Sequence, residues 1–184
     1  MIDTSPTRYT GTAITLHWLM AVMLVGLFAV GIYMHELPMS PQRLKLYNWH
    51  KWAGILVLLL ALVRVLWRAT HPAPELPAAV LAAMPRWQRV AHRAVQDGLY
   101  LLMFVTPLLG WAYSSAAGFP VVWFGVLPLP DFVPTDKALA EAIKPFHALA
   151  AFTMAALVIG HTAAALKHQF IDRDGLLSRM LPGR

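Results

Sequence analysis

The sequence has 184 residues, 58% of them hydrophobic and 13% charged, with a mean hydropathy of +0.56; soluble domains carry about 25% charged residues, so this composition describes a membrane protein. Cysteine is absent, which excludes disulfides, iron–sulfur clusters and thiolate metal sites and leaves nitrogen and oxygen as ligands, with eight histidines as the leading supply. The net charge of +6 does not point to nucleic acid, because the basic residues lie between apolar runs, where membrane topology accounts for them.

A short polar lead, residues 1–12, precedes the first predicted span, residues 13–34, which holds one ionisable group, His17, beside Trp18. The apolar run is longer than a signal-peptide core and no small-residue cleavage site interrupts it, so a retained transmembrane helix is expected. Residues 35–47 contain Pro38 and Pro41 and are expected to break the helix. The second span, about 48–67, carries His50 one turn in and Gly54 four residues later on the same face. A residue without a side chain there leaves room for a flat, bulky group. Arg64 and Arg68 close this span.

Residues 69–96 form the longest basic connection: a proline-stiffened strip, then an amphipathic surface segment with Arg86, Arg89 and Arg93 on its polar side. The third span, about 98–117, contains Pro107 and Gly110 but no histidine. Residues 118–145 are apolar yet broken by five prolines, which predicts a cap over one mouth of the bundle with a short helix at about 135–144. The fourth span, residues 146–166, is long enough at ~1.5 Å per residue to cross a hydrocarbon core of roughly 30 Å. A basic amphipathic tail, residues 169–184, is expected on the membrane surface.

The fold class that follows is an all-α membrane protein, one four-transmembrane-helix bundle with both termini cytoplasmic. The side shared by the termini holds ten basic residues (Arg8, Arg64, Arg68, Arg86, Arg89, Arg93, Lys167, Arg173, Arg179 and Arg184), against five (Arg43, Lys45, Lys51, Lys137 and Lys144) on the other. The positive-inside rule places the richer side in the cytoplasm.

His147, His161 and His168 are spaced 14 and 7 apart, so at ~100° per residue they share a stripe roughly 60° wide. Ionisable groups within a span are costly and mark function by default. Topology sorts the four in-span histidines by depth into an inner pair, His17 with His161, and an outer pair, His50 with His147. Two imidazoles facing across neighbouring helices suit the two sides of a haem iron. Zinc fits less well, because no carboxylate in the spans completes its shell. Singly, each histidine is equally well explained by a backbone hydrogen bond or by proton shuttling. A histidine-based proton or metal transporter is therefore the non-redox alternative.

Taken together, several landmarks resemble the bacterial cytochrome b561 family over about residues 9–182. They are Leu16-His17-Trp18, His50 with Gly54, Leu62-Val63-Arg64 with Arg68 and His71-Pro72, Leu99-Tyr100 with Pro107 and Gly110, and His147, His161 and His168. The resemblance implies two haem b groups held by the same histidine pairs, with ubiquinone as substrate. It implies a place in the bacterial inner membrane, with the lipid bilayer as surroundings and His168 at a possible quinone site. It also implies an oxidoreductase that takes electrons from superoxide, a small anion, at the outer face. The competing reading is the haem-bearing subunit of a larger hydrogenase or dehydrogenase, with a partner subunit as electron source. The chain departs from the family at Gln96, where a histidine is frequent; His92 lies one turn earlier and is expected at the surface, as are the loop histidines His35 and His71. Arg64 is left between two roles, neutralising a haem propionate or anchoring the span.

Overall fold

Side-chain caps set where the long helices begin. In the computed structural model, which describes residues 8–183, Thr10 accepts from the Ala13 amide and opens α1, Gly11–Glu36. Ser40 accepts from the Arg43 amide and opens α2, Pro41–Thr70. Asp136 accepts from the amides of Ala138 and Leu139 and opens α5, Lys137–Lys167. Each cap satisfies amides that the first turn would leave unpaired. A six-residue helix α3, Ala78–Ala83, and the long α4, Arg86–Ala116, lie between α2 and the cap region. Four helices, the last continuing to Asp172, are long and apolar enough to cross a membrane. Residues 1–7 of the polar lead and Arg184 lie outside the described residues.

The helices overrun the apolar windows, and the reasons are local. Pro41 does not break the chain but starts α2, since a proline at the first helical position forfeits only an amide that has no helical partner. The expected short helix at 135–144 and the fourth span are one helix that runs through Pro145. The amphipathic segment after Pro85 is likewise continuous with α4, which also tolerates Pro107.

The cap contains a small hairpin that was not expected from the sequence: β1, Val122–Trp123, pairs antiparallel with β2, Leu127–Pro128. Phe124 and Gly125 both take positive φ at its turn, 51° and 74°, within a three-residue connection between the paired Trp123 and Leu127. The N-terminal part of α2 holds it down. Trp52 Nε1 donates to the Val122 carbonyl at 2.6 Å, Trp123 Nε1 donates to the Trp52 carbonyl at 3.1 Å, and Lys51 Nζ reaches the carbonyls of Phe119 and Pro120.

The two ends of the described chain lie at the opposite end, where Arg8 donates to the Leu181 carbonyl. There the tail turns back as a π-helical turn, His168–Asp172, and a 3-10 turn, Leu177–Met180. The Tyr9 amide donates to the Arg179 carbonyl, Trp18 Nε1 to the Met180 carbonyl at 2.7 Å, and Arg179 to the Glu75 carbonyl. The start of α1, the α2–α3 connection and the tail are thereby tied together.

Inside, α1 packs on α2, α2 on α4, and α4 on α5, whereas α5 meets α1 only lightly and α2 less still. The apolar core is Met20, Val57, Ala61 and Met103, ringed by Leu24, Leu27, Tyr100, Phe104 and Met154. Those residues lie midway along their helices. In a bilayer such contacts rest on close packing and dispersion, because lipid tails are as apolar as the core. Large side chains such as Val22, Val25 and Ile159 accordingly face outward.

Candidate functional site

The four in-span histidines meet in two pairs, one on each side of this core. At the terminal end, His17 of α1 faces His161 of α5 with ring centroids 6.1 Å apart. At the cap end, His50 of α2 faces His147 of α5 at 6.4 Å. Each pair bridges helices that pack only lightly against each other. Fourteen residues of α5 separate the two depths, about 21 Å along the axis.

The separations discriminate between ligand geometries. A metal–imidazole bond is about 2.0 Å, and a ring centroid lies roughly 1.1 Å behind its nitrogen, so two rings on opposite sides of one metal have centroids about 6 Å apart. Two rings on a tetrahedral ion would approach to about 5 Å. Both pairs match the opposed arrangement, so these residues would suit the two sides of a haem iron better than a tetrahedral zinc ion.

The second ring nitrogens differ between the ends. His147 Nδ1 lies 3.0 Å from the Thr106 carbonyl, and since a carbonyl only accepts, the proton sits on Nδ1 and Nε2 is free to bind metal. Gly110, one turn beyond Thr106, makes this approach possible: a Cβ there would fall 2.9 Å from His147 Cε1. On α1, a Cβ at Gly31 would fall 3.4 Å from His50 Cε1. His50 lies against the Leu27 carbonyl, although its buried Nδ1 makes no full hydrogen bond. Gly54, singled out for the space beside His50, has nothing within 4 Å of its Cβ position. The glycines that touch imidazoles come from the neighbouring helices. They could have been suspected from lying in spans at the depth of a histidine.

At the terminal end Arg64 reaches inward from α2. Its Nε donates to the Tyr100 hydroxyl at 3.1 Å, its Nη2 lies 3.4 Å from His17 Nδ1, and its buried Nη1 has no partner. A guanidinium only donates, so it cannot accept a proton from His17 Nδ1, and this ring lacks the acceptor that His147 has. The unpartnered Nη1 suits an anionic oxygen such as a haem propionate. Both pairs therefore fit haem in spacing, and the cap-end pair fits it more completely in its hydrogen bonding.

His168 is buried, with Nδ1 donating to Asp174 Oδ2 at 2.5 Å and lying 3.2 Å from Asp172 Oδ2; Lys167 Nζ also meets Asp172. The π-helical turn and the left-handed Arg173 (φ 53°) bring both carboxylates back onto the ring. His92, expected at the surface, is instead half-buried and within electrostatic reach of both His161 and His168. Its heading into the third span was hidden because the surrounding residues are polar and arginine-rich. His35 and His71 are exposed as expected, the first beside Glu36 and the second stacked on Trp67. Two of the basic residues at the cap end serve the scaffold: Arg43 holds the Leu37 carbonyl and Lys51 the cap.

Four long apolar helices carrying two facing imidazole pairs, among the described residues, are the arrangement that a membrane b-type cytochrome calls for. Comparison with known sequences agrees. Residues 8–183 match the family model described as prokaryotic cytochrome b561, and the chain belongs to that family. It is 35% identical over 178 residues to cytochrome b561 homolog 2 of Escherichia coli (strain K12), covering 96% of this chain and 93% of the relative. It is 29% identical over 180 residues to cytochrome b561 homolog 1 of the same organism, covering 96% and 98%. The probable superoxide oxidase CybB of Yersinia pestis is 28% identical over 177 residues, covering 95% and 96%. The protein is thus a bacterial membrane electron-transfer protein of a family that binds haem b.

Proposed function

We propose that the chain holds two haem b groups, one between His17 and His161 and one between His50 and His147, and links superoxide at the cap end to ubiquinone at the terminal end. The observation that carries this reading is the pair of opposed imidazole couples, 6.1 and 6.4 Å between centroids, at the two ends of one bundle. Haem b supplies, when bound, a site that takes up and releases one electron. The chain's own residues orient that group and exclude water, with the Met20–Val57–Ala61–Met103 core filling the middle. Nine of the ten basic residues on the terminal side fall within the described chain, and their excess supports a cytoplasmic placement of that end in the inner membrane.

The overall chemistry balances as two superoxide ions, each losing one electron to become dioxygen, and one quinone gaining two electrons and two protons to become quinol. His168 at the terminal end is placed to hand on a proton from Nε2, its Nδ1 being fixed by Asp174. Superoxide as the donor is supported by the Yersinia pestis relative's name. Lys45, Lys137 and Lys144 stay exposed at the cap end and favour an anion there.

The test is a superoxide pulse on purified protein, with haem absorbance and quinol followed together. Rapid reduction and one quinol per two superoxide ions are expected. Haems that ignore superoxide but are reduced through a co-purifying subunit would instead make the chain the membrane subunit of a larger dehydrogenase or hydrogenase.

A further inference from the structure

We infer that the chain itself makes the two haem sites energetically unequal, so that an electron is held more tightly at the terminal-end pair than at the cap-end pair. The inference rests on the proposed ligand pairs and concerns what lies behind each imidazole. It goes on to give electron flow a direction.

At the cap end the surroundings of the rings are backbone carbonyls. Thr106 accepts from His147 Nδ1 at 3.0 Å, and Leu27 presents its carbonyl to His50. The spacing recurs on two helices, Gly110 and Gly31 each lying four residues beyond the carbonyl in question, but only His147 completes the hydrogen bond; the buried Nδ1 of His50 makes none. In a helix that spacing puts the glycine's own amide on the same carbonyl and its missing side chain under the approaching ring. An alanine at 110 would overlap His147 Cε1 at 2.9 Å, and one at 31 would press on His50 Cε1 at 3.4 Å. A ring that gives its Nδ1 proton to a carbonyl becomes a more basic ligand. More basic axial ligands stabilise the oxidised iron, whose charge is higher, and so lower the potential.

At the terminal end the corresponding neighbour is a cation. Arg64 Nη2 sits 3.4 Å from His17 Nδ1, and Tyr100 fixes the guanidinium from its other side. The glycine device is missing there among the described residues: the Cβ position at Gly160 has nothing within 4 Å, and that at Gly98 meets Leu157 and not an imidazole. A fixed positive charge beside the site opposes the more highly charged oxidised iron and favours the reduced form, which raises the potential. The two environments push in opposite directions. Gly31, Gly110 and Arg64 are therefore positioning and tuning residues, and electrons run downhill from the cap to the terminal end.

The experiment is an optical redox titration of the purified two-haem protein, with His50→Ala and His17→Ala variants to assign the waves. Two midpoint potentials are expected, the terminal-end one higher. Gly110→Ala should move the cap-end potential upward and leave the other in place. If that variant loses its cap-end haem, Gly31→Ala carries the test, with a smaller shift of the same sign. Arg64→Met should lower the terminal-end potential, and Arg64→Lys should restore most of it, which a packing role alone would not do. A higher potential at the cap end in the wild type, or an unmoved terminal-end wave in Arg64→Met, overturns the ordering. A single haem per chain would overturn the ligand pairs instead, so the two failures are distinguishable.

Discussion

At the scale of single residues, the opposed imidazoles make sharp expectations. His50→Ala and His147→Ala should remove the same haem from the spectrum, and His17→Ala and His161→Ala the other, since either loss leaves one ring unopposed. If His50→Ala resembled His17→Ala, the pairing would be wrong. The ring planes within each pair are steeply inclined, 69° and 84°. If each pair held a haem, rings so crossed would donate into both of the iron's π-type orbitals alike and leave them nearly degenerate. Strongly anisotropic low-spin signals are therefore expected for both oxidised haems by electron paramagnetic resonance. His168 makes a separate claim. His168→Ala should slow quinone-dependent reoxidation by about tenfold or more, while reduction of the haems from the cap end keeps its rate. Equal rates in the variant would remove His168 from the quinone site.

At the scale of elements, the cap depends on α2. Trp52→Phe deletes the hydrogen bond to the Val122 carbonyl and keeps the ring, so the hairpin should lose about 1 kcal/mol of local stability. Faster amide exchange over residues 119–129, with the haem spectra unchanged, would show it; unchanged exchange would mean the bond contributes nothing. The helices themselves were legible because hydropathy and length suffice to find spans. Their ends were less so. Ser40-Pro41 and Asp136 are recognisable start signals, but they stand in stretches too polar for a hydropathy reading to include. The hairpin was hidden because its strands are two residues each and contain Pro128. The four in-span histidines and their depths could be read from their places within the spans and the alternating direction of those spans. The supporting partners could not, since Thr106 acts through its backbone carbonyl, and Gly31 and Gly110 act by having no side chain. Arg64's inward reach is a choice of rotamer that sequence does not state.

At the scale of the whole molecule, stoichiometry is the first check. Two imidazole pairs and no cysteine predict two non-covalent haem b groups per chain, measured by pyridine haemochrome against protein mass. Both pairs also join the first half of the chain to the second, His17 and His50 standing on α1 and α2 and their partners on α5. Ligand binding is then linked to folding stability. Protein made under haem depletion should be cut faster by protease within residues 71–85, the connection between the halves, and added haem should restore resistance. Equal cleavage with and without haem would uncouple binding from packing.

The light packing of α5 on α1 and α2 has a consequence for biogenesis. Two helical hairpins, α1–α2 and α4–α5, each have an extensive interface of their own, joined through α2 and α4. They leave the synthesis machinery in that order, so the first must wait in the lipid for the second. Its histidines then stand at the bilayer's interior without partners, a costly arrangement. Arrival of α5 brings His161 and His147 opposite them, and on the proposed ligand pairs a bound haem would then fasten the second hairpin to the first.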